Sequence, residues 1–123
     1  MKEGTEAVAF AKPGGEACGA ARTRPIDLAH LSRQTLGDRA VEEEVLSLFM
    51  QQAGTVCEQI STAASEERRN LAHGLKGSAL GVGAFAVAEA ASAVEAEPAS
   101  KPLVKALSRR VEEAREFIAA ISR

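Results

Sequence analysis

From Pro25 onward the apolar positions recur at spacings of three and four, in blocks separated by Gly, Ser or Pro. No stretch shows the two-residue alternation of β-branched and aromatic residues that marks a strand. The first block predicts a helix starting at Asp27, whose carboxylate can accept from the free N–H groups of a first turn, with Ile26 and Leu31 at staple spacing around it. Gly37 ends that helix. Asp38 is placed to cap a second, which has Glu42, Glu43 and Glu44 near its positive end and an apolar stripe of Val41, Val45, Leu48, Phe49, Val56 and Ile60. Ser65 is the predicted cap of a third, with Glu66 and Glu67 in its first turn. Gly81 and Gly83 break the pattern, and a fourth, short helix is predicted over residues 84–95. Pro98 and Pro102 punctuate the approach to a last helix carrying Leu103, Leu107, Val111, Ala114, Ile118 and Ile121 on one side. These blocks predict an all-α fold over residues 25–123, an antiparallel four-helix bundle with a short extra N-terminal helix. Residues 1–24 hold only Val8 and Phe10 as sizeable apolar groups and read as a mobile tail.

Composition sharpens this picture. Hydrophobic residues make up 46% of the 123, but 25 of them are Ala, which leaves a thin core suited to close helix packing. The net charge of -2, four Phe and no Trp or Tyr supply neither the basic excess nor the aromatic platforms that nucleic acids require, so nucleic-acid binding is disfavoured. No uncharged run, residues 77–88 included, approaches the roughly 20 residues of a membrane span. Glu3 and Glu6 near the start, with Lys12 and Pro13 after a short apolar stretch, argue against a secretory signal. Cys18 and Cys57 form no CxxC and no Cys/His group, which fits a reduced, cytoplasmic setting.

Two His residues are present, in different settings. His30 lies between Leu28 and Leu31 with no Cys and no second His within a turn, so it reads as packed or solvated. Glu-x-x-His occurs nowhere, no Gly-x-Ser-x-Gly is present, and no metal site is predicted. His73 is another matter. At about 100° per residue, Leu71 and Leu75 lie about 200° from it, whereas Arg69, Asn70, Lys76, Gly77 and Leu80 fall within about 60°. These residues form one outward face. A solvated imidazole keeps a nitrogen lone pair available at cellular pH, which suits covalent capture of a group delivered by a partner. Lys76 puts an ammonium one turn away, where phosphoryl oxygens would arrive, and Gly77 removes a side chain that would crowd the ring. Gly inside a helix costs roughly 1 kcal/mol relative to Ala, yet Gly74 and Gly77 both sit near the middle of this one. Ser78 is expected to point inward as a small residue that back-bonds to its own helix rather than as a phosphate ligand.

The string His73-Gly74-Leu75-Lys76-Gly77-Ser78-Ala79-Leu80-Gly81-Val82-Gly83-Ala84 resembles the signature of histidine-containing phosphotransfer (HPt) domains, in which the phosphoacceptor His is followed by Leu-Lys-Gly-Ser and, a turn later, Gly-Ala. Gly74 beside the His is a less usual choice there. The likeness continues to Val94 and Glu95, where the family has an apolar residue followed by an acid or amide. It reaches back through Ile26-Asp27, Gly37-Asp38 and the Leu46, Leu48, Phe49 cluster, so that it covers about residues 25–122.

The resemblance implies a phosphorelay intermediate in which His73 accepts a phosphoryl group from an aspartyl-phosphate on one receiver domain and passes it to the Asp of another. The implied partners are receiver domains of a hybrid histidine kinase and of a response regulator, and the chain is expected to act as a monomer. Lys76 would stabilise the phosphoryl group and Gly77 would give access. Arg69, Asn70, Leu80 and Glu95 would contribute to partner docking, with Glu95 also placed by spacing to reach and orient the ring. The chain itself would bind no cofactor, since Mg²⁺ belongs to the receiver in such relays and no GxxxxGK[ST] loop is present. Two other readings stay open at this point: a docking module that sequesters a receiver without turnover, and a dimeric kinase-type phosphoacceptor bundle. The His-x-x-Lys-Gly string favours the monomeric type over the His-Glu or His-Asp pair of kinase dimerisation helices.

Overall fold

A computed structural model describes residues 24–122. They form five helices, α1 (Leu28–Thr35), α2 (Arg39–Thr62), α3 (Ser65–Val82), α4 (Phe85–Ala96) and α5 (Lys101–Ile121), and no strand occurs among the described residues. The residues predicted to form the N-terminal tail lie, apart from Arg24, outside the described ones. The bundle is the all-α one that the spacing predicts. α2 packs on α3, α3 on α4, α4 on α5 and α5 back on α2, while the short α1 lies across α2 and α3.

Local chemistry starts the helices where the sequence has acceptors to spare. The Asp27 carboxylate accepts from the backbone N–H of His30 at 3.1 Å, and the Asp38 carboxylate from that of Val41 at 3.2 Å. Ser100 caps α5 through the N–H of Leu103 at 3.3 Å, with Pro102 in the first turn, where its missing N–H costs nothing. Ser65 does not cap α3. Ala64 holds the cap position without a side-chain bond, and Ser65 is already helical. Gly81 does not break α3 either, because the helix runs on to Val82 and Gly83 alone ends it.

The core is apolar throughout, with Ile26, Leu31, Ile60, Leu75, Val87, Val94 and Leu107 its largest fully buried side chains. Ile26 and Leu31, the expected staple pair, both belong to it. Close approach relies on small residues: Ala53, Ala72, Ala79, Ala84, Ala91 and Ala114 are fully buried, so a thin complement of large side chains still fills the interior. Three residues assigned to apolar stripes stay outside it. Leu48 is 57% exposed, Val41 41% and Ile121 39%, and α2 buries Leu46, Met50 and Ala53 instead. Leu48 lies about 200° around α2 from Leu46, so the two cannot both face inward.

One junction fixes how α1, α3 and α4 meet. Gly83 has φ +87° and ends α3 with a Schellman pattern: its N–H points to the carbonyl of Leu80, and the N–H of Ala84 donates to that of Ala79 at 2.8 Å. Its own carbonyl accepts from the N–H of Asp27 at 2.9 Å, and a Cβ there would stand 2.9 Å from the Asp27 carbonyl oxygen. His30 completes the clasp through a 3.2 Å hydrogen bond between Nε2 and the carbonyl of Gly81, with its ring edge-on to Phe85 at 5.3 Å. Both the left-handed conformation and the close approach exclude a side chain. Gly83→Ala is expected to lower unfolding free energy by roughly 2–3 kcal/mol, read by urea denaturation with helicity as signal.

Candidate functional site

α3 presents His73 outward, its side chain 68% exposed, because Ala72 and Leu75 on either side of it turn into the core. The residues predicted to share its face follow. Arg69, Asn70 and Gly77 are exposed, Leu80 is 48% exposed, and Lys76 is half-buried. Ser78 is half-buried rather than enclosed.

Glu95 comes from the last turn of α4 and joins the group from across the helix pair. Its Oε2 lies 2.8 Å from His73 Nδ1 and its Oε1 lies 2.9 Å from Lys76 Nζ, so the two oxygens are divided between two donors of α3. The Lys76 ammonium first, and the His73 ring second, hold the Glu95 carboxyl below the usual carboxylate range. Arg69 reaches the same turn: its Nε donates to the backbone carbonyl of Glu95 at 3.4 Å, while its Nη1 pairs with Glu66 at 3.1 Å. Asn70 makes no comparable tie and stands on the exposed face.

The pairing has a chemical consequence. An ionised carboxylate only accepts, so the ring nitrogen facing it must carry the proton. In the neutral ring that proton sits on Nδ1, and the lone pair is left on Nε2. A neighbouring carboxylate also favours the positively charged ring that forms when Nε2 acts as a nucleophile.

The glycines of α3 bear on access. A Cβ added at Gly74, Gly77 or Gly81 would meet nothing within 4 Å, so no neighbouring helix requires these positions to be Gly. Packing against another part of the chain is therefore not their reason, and what they leave open is the surface around His73.

Sequence spacing did not reveal two ties that hold this region. Arg68, half-buried, donates through Nε to the carbonyl of Ile60 at 2.9 Å and through Nη1 to that of Pro98 at 2.7 Å, linking the end of α2 to the α4–α5 connection. The His30 clasp is the other, and it spans 51 residues of sequence. Cys57 is half-buried in α2, and burial pushes its thiol up despite Ser108 and Arg115, which makes it a poor nucleophile. No group of three or more His, Cys, Asp or Glu that could hold a metal ion occurs among the described residues. Among them, too, no helix is long and apolar enough to cross a membrane.

A family model described as Hpt domain matches residues 44–120. The chain belongs to the Hpt domain family, whose function is histidine phosphotransfer in two-component signalling through interaction with receiver domains. The match runs from within α2 to within α5 and takes in His73, Lys76 and Glu95, while α1 lies ahead of it. No curated protein and no solved structure matches the chain.

Two outcomes follow from the site. Gly74→Ala and Gly81→Ala should each raise unfolding free energy by about 0.5–1 kcal/mol, the helix-propensity gain with no clash to offset it, as measured by urea denaturation. The second concerns pH. A carboxyl whose pKa is depressed in the folded state adds stability above its unfolded value, near pH 4.3, and loses it as pH falls through the folded value. The stability difference between wild type and Glu95→Gln should therefore be present at pH 7 and shrink as pH falls below the unfolded value and through the lower folded one, on the same denaturation assay.

Proposed function

We propose that this chain is a phosphorelay intermediate in which His73 Nε2 takes a phosphoryl group from the aspartyl-phosphate of one receiver domain and hands it to the aspartate of another. The Nε2 lone pair attacks phosphorus, the N–P bond forms, and the acyl-phosphate P–O bond breaks, leaving the donor aspartate as a carboxylate. The ring then carries a positive charge with its proton still on Nδ1, facing Glu95. Reversal of the same step, with a second receiver's carboxylate as nucleophile, returns the ring to neutral. No proton has to leave the site in either direction.

The observation that carries this reading is the 2.8 Å contact of Glu95 with Nδ1 on a ring whose side chain is otherwise 68% exposed. It selects Nε2 as the nucleophile and leaves it within reach of a docking partner. Gly77 then provides access, and Arg69, Asn70 and Leu80 form the surrounding contact surface. Chemistry beyond nucleophile and orientation comes from the receivers: the chain needs no bound cofactor of its own, and Mg²⁺ is supplied on the receiver's side. A donor receiver of a hybrid histidine kinase and an acceptor response regulator are the partners this scheme requires, and both would meet the chain in the cytoplasm.

Incubating wild type and His73→Gln with a phosphorylated receiver and Mg²⁺ tests the proposal. Acid-labile, base-stable label is expected on wild type and not on His73→Gln. Wild type that docks on the receiver without taking label would make it a sequestering module.

A further inference from the structure

Gly74 directly follows His73 and is exposed. Its backbone is helical and a Cβ there would meet nothing within 4 Å, so Ala would serve the helix better and the fold gives no reason for a bare position. Access to the ring does not supply the reason either. At about 100° per residue, Gly77 lies about 40° from His73, where a side chain would crowd the ring, but Gly74 lies about 100° away on the same flank. We propose that Gly74 is a specificity-determining residue: the recess left by its missing side chain admits an uncharged side chain of the receiver domain, seated beside His73 on the flank away from Glu95. This rests on His73 being the phosphoacceptor that receivers approach.

The two flanks of the ring differ in kind. To one side, within about 60° of rotation, lie Lys76 and Arg69, and both are tied to Glu95. To the other side, within about 140°, come Gly77, Asn70, Gly74 and the half-buried Ser78, none of which carries a charge. Side chains on a helix lean toward its N-terminus, so a side chain at position 74 would lie over Asn70 and Leu71, next to the ring. Its absence leaves a notch there, with Asn70 and Ser78 about one turn away along the helix on either side.

The chemistry of the notch defines what fits it. An arriving charge would be desolvated against the α3 backbone without a counter-ion, whereas an uncharged side chain needs none. The flank that holds Lys76 and Arg69 is committed to ion pairs, so the bare flank is where a receiver's surface comes closest to the α3 backbone. Filling the notch therefore has opposite effects on fold and contact: it favours the helix and obstructs the partner.

That opposition supplies the test. Binding of the full chain to a panel of receiver domains is titrated for wild type, Gly74→Ala and Gly74→Leu, and urea midpoints are measured on the same samples. Both variants should unfold at higher urea than wild type, since Ala and Leu are better helix formers than Gly. Kd for the receiver that wild type binds tightest should rise with side-chain size, about twofold for Ala and about tenfold for Leu, and its lead over the other receivers should shrink. Gly74→Leu that binds that receiver as tightly as wild type would overturn the proposal. A loss equal for every receiver would overturn it as well, because it marks a general obstruction. So would a lowered urea midpoint, which would show that the fold and not a partner requires glycine. Phosphoryl transfer is scored separately on the wild type. Receivers that bind in a Gly74-dependent way without labelling His73 would sink the phosphoacceptor reading alone, and a wild type that binds no receiver would sink both.

Discussion

The Glu95 carboxylate accepts from two donors on successive turns of α3, at 2.8 and 2.9 Å, and this shared acceptor is what gives an exposed imidazole a defined chemical sense. A lone ring in water exchanges its proton between two nitrogens. A ring held against an ionised carboxylate has one of them assigned. For that assignment the last turn of α4 has to lie beside the middle of α3, which follows from the connection between them. Residues 83–84 reverse the chain at once, Gly83 supplies the left-handed turn, and Val87, Ala88, Ala91 and Val94 give α4 an inner face to bury. The chemistry of His73 therefore depends on packing that does not touch it.

Helix α3 is a poor helix by its own propensities. It carries Gly74, Gly77 and Gly81 at exposed interior positions, each costing roughly 1 kcal/mol relative to Ala, and its first turn has no side-chain cap. Tertiary ties make up for this. Ala72, Leu75, Ala79 and Val82 are buried, Arg68 fastens its start to the carbonyls of Ile60 and Pro98, and the His30 clasp fastens its end. Helices in proteins commonly owe more to such packing than to propensity. Apart from the ties of Arg69 and Lys76 to Glu95, the outer face is left free of packing, and such a face can be shaped for an approaching surface.

The bundle and the outward face were legible in the sequence because both follow from rotation about a helix. The 100° step put Leu71 and Leu75 opposite His73, and the structure turns Leu75 into the core and leaves the ring outside. Asp27 and Asp38 announced their helices through a side chain that can only accept. Errors arose where rotation alone was too coarse. Leu48 was apolar and near the stripe but lay on its far side, and Ser65 had cap chemistry one position too late, after Ala64 had already taken the extended backbone. The clasp of His30 and the bridge of Arg68 were illegible for a different reason. Each joins a side chain to a backbone carbonyl, and a carbonyl is present at every residue, so no pattern of residue types marks the acceptor. Glu95 stood between these cases: its spacing brought it near His73, but the second bond to Lys76 depends on the depth of the α3–α4 seam.

On the proposed reading the chain must release what it takes, and the local charge balance suits that requirement. A phosphoryl group brings between one and two negative charges. A site built to keep it would aim unpaired cations at its oxygens, as charge-assisted bonds to phosphate are among the strongest available. Here the nearest ammonium is already matched by a carboxylate, and Arg69 is matched by Glu66. The carboxylate faces Nδ1, so on the proposed reading it would steady the charged ring without gripping the phosphoryl group. Binding energy is thus directed at the nucleophile's orientation, which serves acceptance and donation alike, since the two directions pass through the same transition state. On the proposed reading, a site with a free lysine at Nε2 would give the group back more slowly, whereas here the Lys76 ammonium is already paired with Glu95.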